Sequence, residues 1–416
     1  MKVVIINHSD VRGGASVVSR RLMEALRARG IDARMLVARR EGPESPYIAE
    51  AAPAWRRKAA FLLEEGTTWV YNGLRRRNLF RLDAARYGLP LHRHPWVREA
   101  DVVCLNWVCQ GMLSLRGVER IAALGKPVFW TMHDMWNATG LCHHAGDCTR
   151  YTGACGLCPL LQGPRSLRDL SWWRYVRKGV CYDRSHITFV AVSTWLAGLC
   201  RQSPLMRGQR VEVIPNAFPL DDFGLEPEMS LAELGLPDDG RHILLMGAAR
   251  LDDPVKGLPV AVEALNMLTD GGYADRAHAV FFGAMRDPHA LDSLRLPHTH
   301  LGTISDPRRL RSLYAHARAV MSPSLYETLP GTLIEGQASG AYPVCFGRGG
   351  QSDIVHSAAT GYIARWLDAD DFAAGLRHAI DSEPDRQALR ASVQERFAAD
   401  TVAARYEQLF RAALSR

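Results

Sequence analysis

Short apolar runs alternate with stretches of helical spacing along most of the chain. VVIIN at 3–7 is an apolar, β-rich run of the kind buried on both faces of a parallel sheet. Gly13-Gly14 follows. ASVVSRRLMEALRARG at 15–30 then repeats apolar positions at helical spacing, with Gly30 as its stop. ARMLVA at 33–38 reads as a second strand, so the chain opens as strand, glycine turn, helix, strand, the start of a parallel α/β domain. Further strands are predicted at 101–105, 127–131 and 187–192. After IPNAFPLDDF at 214–223 the pattern loosens through Gly224, Pro227, Gly235, Pro237 and Gly240, a stretch read as a linker. HILLMGAAR at 242–250 restarts the alternation. Helix 257–270, strand 278–283, helix 307–316, strand 318–321, helix 331–339, strand 342–346 and a terminal helix near 385–414 are expected to follow.

A length of 416 residues suits two such domains better than one core. The expected division is an N-terminal Rossmann-like domain at 1–215, a C-terminal one at 216–395, and a last helix, 396–416, packing back on the first domain. Two tandem α/β domains would leave a cleft between the carboxyl ends of two parallel sheets. The first turn lacks GxGxxG, which disfavours a nicotinamide-type dinucleotide. MKVVIIN carries too few apolar residues for a secretory signal, and no window approaches the roughly 18 apolar residues of a spanning helix. A cytoplasmic protein is the expectation.

Candidate chemistry gathers at the ends of predicted strands. Arg250 ends one strand and Lys256 stands six residues on, in ARLDDPVKG, where a guanidinium fork and an ammonium could neutralise a diphosphate. Glu327 and Glu335 lie eight apart in YETLPGTLIEGQASG. Pro330 suits a first helical position, and Gly331 permits close backbone approach to a ligand. The free N–H groups of Gly331, Thr332 and Leu333 would then form an anion site. Glu335, a turn further on, could accept hydrogen bonds from both hydroxyls of a ribose, and Glu327 could face a sugar. Gly13-Gly14 could wrap phosphate or sugar, and His133 in WTMHDMW follows a buried-looking strand. Each feature alone is compatible with plain surface charge, helix-end complementation or a structural histidine.

Their order is more specific. GGA at 13–15, HD at 133–134, IPNAF at 214–218, R-x5-KG at 250–257 and E-x7-E at 327–335 together resemble the retaining glycosyltransferases of family 4, with the GT-B fold, over essentially the whole chain. The resemblance implies two Rossmann-like domains facing each other across a cleft and a nucleotide-sugar donor, UDP- or GDP-linked. It assigns the ribose to Glu335, the diphosphate to Arg250 and Lys256, and a place beside the transferred sugar to His133. It also implies front-face substitution with retained configuration and no divalent metal in catalysis. VFWTMHDMWNATGLCHHAGDCTRYTGACGLCPLL at 128–161 is similar to the exopolysaccharide, colanic-acid-type branch, which carries a cysteine cluster and points to a lipid-linked glycan acceptor. Leu329-Pro330-Gly331 stands where many members have Phe-Gly, which leaves the donor's base and sugar open. A glycosyltransferase-like binding subunit without activity is the alternative reading. Partnership with nucleic acid is disfavoured by the ordered diphosphate-site residues, despite a pI near 9.0.

Four of the nine cysteines, Cys142, Cys148, Cys155 and Cys158, fall in 17 residues beside His143 and His144. That density suits a structural zinc, with free or buried thiols and a disulfide as the other readings. The net charge of +7 is also local: residues 55–98 hold ten Lys or Arg against Glu64, Glu65 and Asp83, so 10 − 3 = +7. Trp55, Phe61, Leu62, Trp69, Val70, Tyr71 and Leu74 interleave with Arg56, Arg57, Lys58 and Arg75–Arg77. Such a stretch is either a core helix with a solvated basic face or a helix lying on an anionic membrane surface.

Overall fold

The computed structural model describes residues 1–163 and 165–415. It divides into two compact units, Met1–Ala217 with Val402–Arg416, and Phe218–Thr401.

The first unit is built on seven parallel strands: β1 (Lys2–Ser9), β2 (Asp32–Arg39), β3 (Ile48–Glu50), β4 (Val102–Leu105), β5 (Val128–Met132), β6 (Thr188–Ala191) and β7 (Arg210–Val213). Their order is β3-β2-β1-β4-β5-β6-β7, so the sheet reverses direction of growth between β1 and β4. Val3 to Ile6 and all of β4 and β5 are buried, as helices on both faces of a parallel sheet require. The second unit repeats the plan with six parallel strands: β8 (His242–Arg250), β9 (Ala277–Ala284), β10 (His298–His300), β11 (Ala317–Ser322), β12 (Tyr342–Phe346) and β13 (Tyr362–Ala364). Here the order is β10-β9-β8-β11-β12-β13, with the switch between β8 and β11. Leu244, Met246, Phe281, Met321 and Phe346 of the sheet and Leu265, Phe372 and Leu376 of the covering helices form its core.

Three expectations change. The stretch 224–240 is not a linker between units: it lies inside the second unit and carries the capped helix Leu231–Leu234. The units divide at Ala217/Phe218, two residues beyond the expected 215/216. The terminal helix is two helices, Arg386–Phe397 and Ala399–Leu414. They part because Phe218 crosses the junction, donating its N–H to the Phe397 carbonyl (2.9 Å) and accepting from Ala399 N (2.9 Å). From Val402 onward the chain packs in the first unit, where Phe410 meets Phe129 at 4.9 Å between centroids and Tyr406 Oη pairs with Thr131 Oγ1 at 3.1 Å. Pro330, finally, caps the helix Gly331–Ala338 and is not its first residue.

Candidate functional site

In an open parallel sheet the ligand crevice opens beyond the carboxyl ends of the strands at the switch point. In the second unit that point is flanked by the loops after β8 and β11. They carry Arg250 and Lys256 on one side and Glu327 and Gly331 on the other. The loops are tied together, since Leu325 N donates to the Val255 carbonyl at 2.8 Å. Gly257 makes this approach possible. Its φ is +70°, and a Cβ there would lie 2.0 Å from the Pro323 carbonyl oxygen.

Lys256 Nζ pairs with Glu327 Oε1, and Ser324 Oγ donates to the same oxygen at 3.3 Å. Arg250 donates from Nη2 to Asp253 Oδ2 at 2.8 Å and stands 3.5 Å from Asp252 through Nε. Both cations are thus balanced by carboxylates, and both remain about a third exposed. The helix Gly331–Ala338 has no side-chain cap and no acidic residue in its first turn. The N–H groups of Gly331, Thr332 and Leu333 and the positive end of the helix dipole are of the kind that suits an anion. Glu335 follows on the same helix. It is 9% exposed, and Tyr314 Oη donates to its Oε2 at 3.4 Å.

In the first unit the switch point lies between β1 and β4. Gly13, at φ +88°, caps the helix Gly14–Ala28, again without a side-chain cap, and Gly13 and Gly14 are both exposed with open space around them. Asn7, at the end of β1, orders the neighbouring loops. Its amide donates to Ser9 O (2.7 Å) and Ser16 Oγ (3.0 Å), and its oxygen accepts from Trp107 N (2.9 Å). His133 follows β5, one strand over. Burial lowers its pKa to about 4, opposed by Asp134, so it is a neutral imidazole near pH 7.

Beside His133 lies a buried charge cluster that sequence reasoning passed over. Asp134 accepts from His143 Nδ1 (2.8 Å), Trp107 Nε1 (3.1 Å) and Trp136 N (2.8 Å). Burial would raise its carboxyl, but His143 carries it down to about 2. His143 is the mirror case: burial lowers it, and Asp134 more than offsets this, so its pKa rises. Lys178 donates to the Trp136 and Thr139 carbonyls and lies 3.2 Å over the Trp136 ring, and burial brings it to about 7. Asp83 and Glu64 hold loop amides, while Glu65 Oε2 is buried without a hydrogen bond. The HD pair and the tandem His143-His144 were the available signals, but a sequence does not show which charges are buried.

Cys142, Cys148, Cys155 and Cys158 line one small, largely apolar cavity with Leu141 and Tyr151. All four are free thiols. Burial pushes Cys142 up to about 12 and Cys155 to about 11. Four cysteines around one cavity is a donor set that zinc takes. Yet among the described residues no group of three or more His, Cys, Asp or Glu is arranged to hold a metal ion. The four thiols share a cavity without being gathered into a ligand set there.

The basic stretch resolves into a helix, Ala54–Tyr71, followed by a loop. Ala60, Glu64, Glu65 and Thr68 face inward. Trp55 (66% exposed), Leu62 (56%), Leu63, Trp69, Val70, Tyr71 and Leu74 face outward with Arg75–Arg77, so these apolar residues are not core. No helix among the described residues is long and apolar enough to cross a membrane.

The comparisons with known proteins agree with this architecture. The sequence profile described as Glycosyltransferase Family 4 matches residues 12–222, half of the chain. The chain belongs to that family. The profile described as Glycosyl transferases group 1 matches residues 240–382 of this glycosyltransferase. No curated protein sequence matches it. Among solved structures it is similar to sucrose-phosphate synthase from Thermosynechococcus elongatus, at 17% identity and a TM-score of 0.67 over 100% of both chains. Anabaena HepE in complex with UDP and glucose gives 13% identity and a TM-score of 0.64 over 99% of this chain and 100% of that one. The catalytic domain of starch synthase IV from Arabidopsis thaliana, bound to ADP and acarbose, gives 14% and 0.64 over 100% of both. The fold is GT-B, two Rossmann-like units.

Proposed function

We propose that this glycosyltransferase moves a sugar, with retention of configuration, from a UDP- or GDP-sugar to a lipid-linked glycan in exopolysaccharide or cell-surface glycan synthesis. The observation that carries the reading is the convergence at the β8/β11 switch point. Arg250, Lys256 and the uncapped N-terminus of Gly331–Ala338 supply positive charge where a diphosphate would lie, and Glu335 stands a turn further along for the ribose. HepE and starch synthase IV, which share the fold, were captured with UDP and ADP.

On this reading the diphosphate displaces Glu327 from Lys256, and the freed carboxylate turns to the sugar hydroxyls. The acceptor oxygen forms a bond to the anomeric carbon on the face the leaving group departs from. The C1–O bond to phosphate breaks, and the β-phosphate oxygen takes the acceptor's proton. Arg250, Lys256 and the helix amides stabilise the phosphate charge as it develops, which removes the need for a divalent ion there. Fixed donors of this kind commonly contribute several kcal/mol each. His133, neutral near pH 7, is the first unit's candidate for a hydrogen bond to a sugar hydroxyl.

The outward apolar face of Ala54–Tyr71, bordered by Arg56, Lys58 and Arg75–Arg77, is the surface we assign to an anionic bilayer at the inner face of the plasma membrane. Each basic residue close to such a surface adds about 1 kcal/mol of attraction.

The test is transfer or hydrolysis of radiolabelled UDP- and GDP-sugars without added metal. Activity in the native protein that falls about 100-fold or more in Lys256→Ala and Arg250→Ala supports the reading. Near-native turnover in both folded variants contradicts it.

A further inference from the structure

A cavity lined by charged residues lies wholly within the first unit, at its switch point. It encloses about 330 Å³ and opens beyond the ends of β1 and β2, whose His8 and Arg39 form part of its wall. Arg57, Lys58 and Phe61 come from the helix Ala54–Tyr71, and Gln110 from the loop after β4. Ala54, Arg57, Lys58 and Phe61 follow i, i+3, i+4, i+7 spacing and so share one helix face.

The charge of this cavity is fixed by its partners. His8 donates Nδ1 toward the Cys109 carbonyl at 3.3 Å, and burial lowers its pKa to about 4, so it contributes no charge near pH 7. Arg57 is held by Glu50 through a fork of 2.5 and 2.6 Å and by the Ala38 carbonyl. Arg39 is 3.4 Å from Glu41, which Arg12 also approaches at 3.9 Å. Lys58 makes no ion pair or hydrogen bond among the described residues, and neither does the Gln110 side chain. Three cations thus meet two carboxylates, and an ammonium and an amide are left to face a ligand.

The apolar part of the wall, Phe61 with Leu89, continues round the helix into its exposed stripe. At about 100° per residue, Trp55, Leu62 and Trp69 lie on the face next to the one lining the cavity. A group with a negative head and an apolar tail would meet cations inside and apolar side chains at the rim.

We propose that this cavity binds the phosphate or diphosphate head of the lipid-linked acceptor, with Lys58 and Arg39 as its charge partners and the Trp55–Leu62 face beside the first carbons of the lipid. This rests on the acceptor class proposed above and assigns it a place distinct from the donor's diphosphate site. Charge-assisted contacts to phosphate set the position of the head. The apolar rim separates a lipid phosphate from a free one.

The test is calorimetric titration of the full chain with farnesyl diphosphate, inorganic pyrophosphate and UDP. Arg39→Ala/Lys58→Ala is compared with Lys256→Ala. Both cavity residues are exposed, so the double variant should fold. Farnesyl diphosphate should bind the native chain, lose about tenfold or more in affinity in the double variant, and be unaffected by Lys256→Ala. UDP should show the reverse pattern. Inorganic pyrophosphate should bind more weakly than farnesyl diphosphate. The proposal is overturned if farnesyl diphosphate binds the double variant as well as the native chain, if its binding is lost in Lys256→Ala, or if pyrophosphate binds equally well. Absent UDP binding would instead count against the donor assignment and leave the cavity result standing.

Discussion

Glu335 is nearly buried, with the Tyr314 hydroxyl at 3.4 Å and the rest of its helix packed around it. A carboxylate there accepts hydrogen bonds as an ion, and a carboxamide of the same shape accepts them less strongly. Glu335→Gln is expected to weaken binding of a nucleoside diphosphate by about 1.5–3 kcal/mol, read by calorimetry with UDP and GDP. Equal affinities in native and variant protein would remove the ribose from this position. Glu65 presents a different case. Burial, with Asp83 and Glu64 nearby, raises its pKa to about 8, so the folded protein holds it protonated near neutrality. A folded pKa above the unfolded value gives stability at low pH that is lost as pH rises through about 8. Glu65→Gln has no proton to lose. Its melting temperature should match the native protein's at pH 5 and exceed it at pH 9, and a parallel pair of pH profiles would show that Glu65 is not held protonated. None of this was legible in the sequence, where Glu64, Glu65 and Asp83 read as ordinary members of a charged stretch. Lys256 and Glu327 were each legible as candidates, but their pairing joins positions 71 apart in the chain.

Elements were legible where burial is uniform. β1, β8 and β12 are apolar runs covered on both faces, and their bounds follow closely from the residues. The edge strands were not. Ile48–Glu50, Arg210–Val213, His298–His300 and Tyr362–Ala364 are short, polar in part and exposed on one side, so no run of apolar residues marks them. For the helix Ala54–Tyr71 the sequence left open which face is buried. Its apolar residues point outward while Glu64, Glu65 and Thr68 point inward, which inverts the usual pattern. That inversion makes it the element to test for membrane docking. The native protein should float with vesicles containing anionic lipid at low salt and release at high salt. Trp55→Glu/Leu62→Glu should abolish flotation even at low salt, and Arg75→Ala/Arg76→Ala/Arg77→Ala should weaken it. Native protein that stays with the soluble fraction at low salt would leave this face without a bilayer role.

At the scale of the whole molecule, two parallel sheets each place an uncapped helix N-terminus beside a switch point, after β1 in the first unit and after β11 in the second. The tandem α/β plan was readable from the alternation of strands and helices. The exact course of the chain at Phe218 and Phe397–Ala399 was not, because it depends on main-chain hydrogen bonds between segments far apart in sequence. In the second unit Arg250 and Lys256 stand at the same switch point as the helix terminus, which is why the donor is assigned there. The most direct measurement is calorimetric binding of UDP- and GDP-sugars, without metal, to the native chain and to Arg250→Ala and Lys256→Ala. The account predicts that one of the two donors binds the native chain and that each variant loses about tenfold or more in affinity with its fold intact. Binding of neither donor, or undiminished binding in both variants, would contradict it.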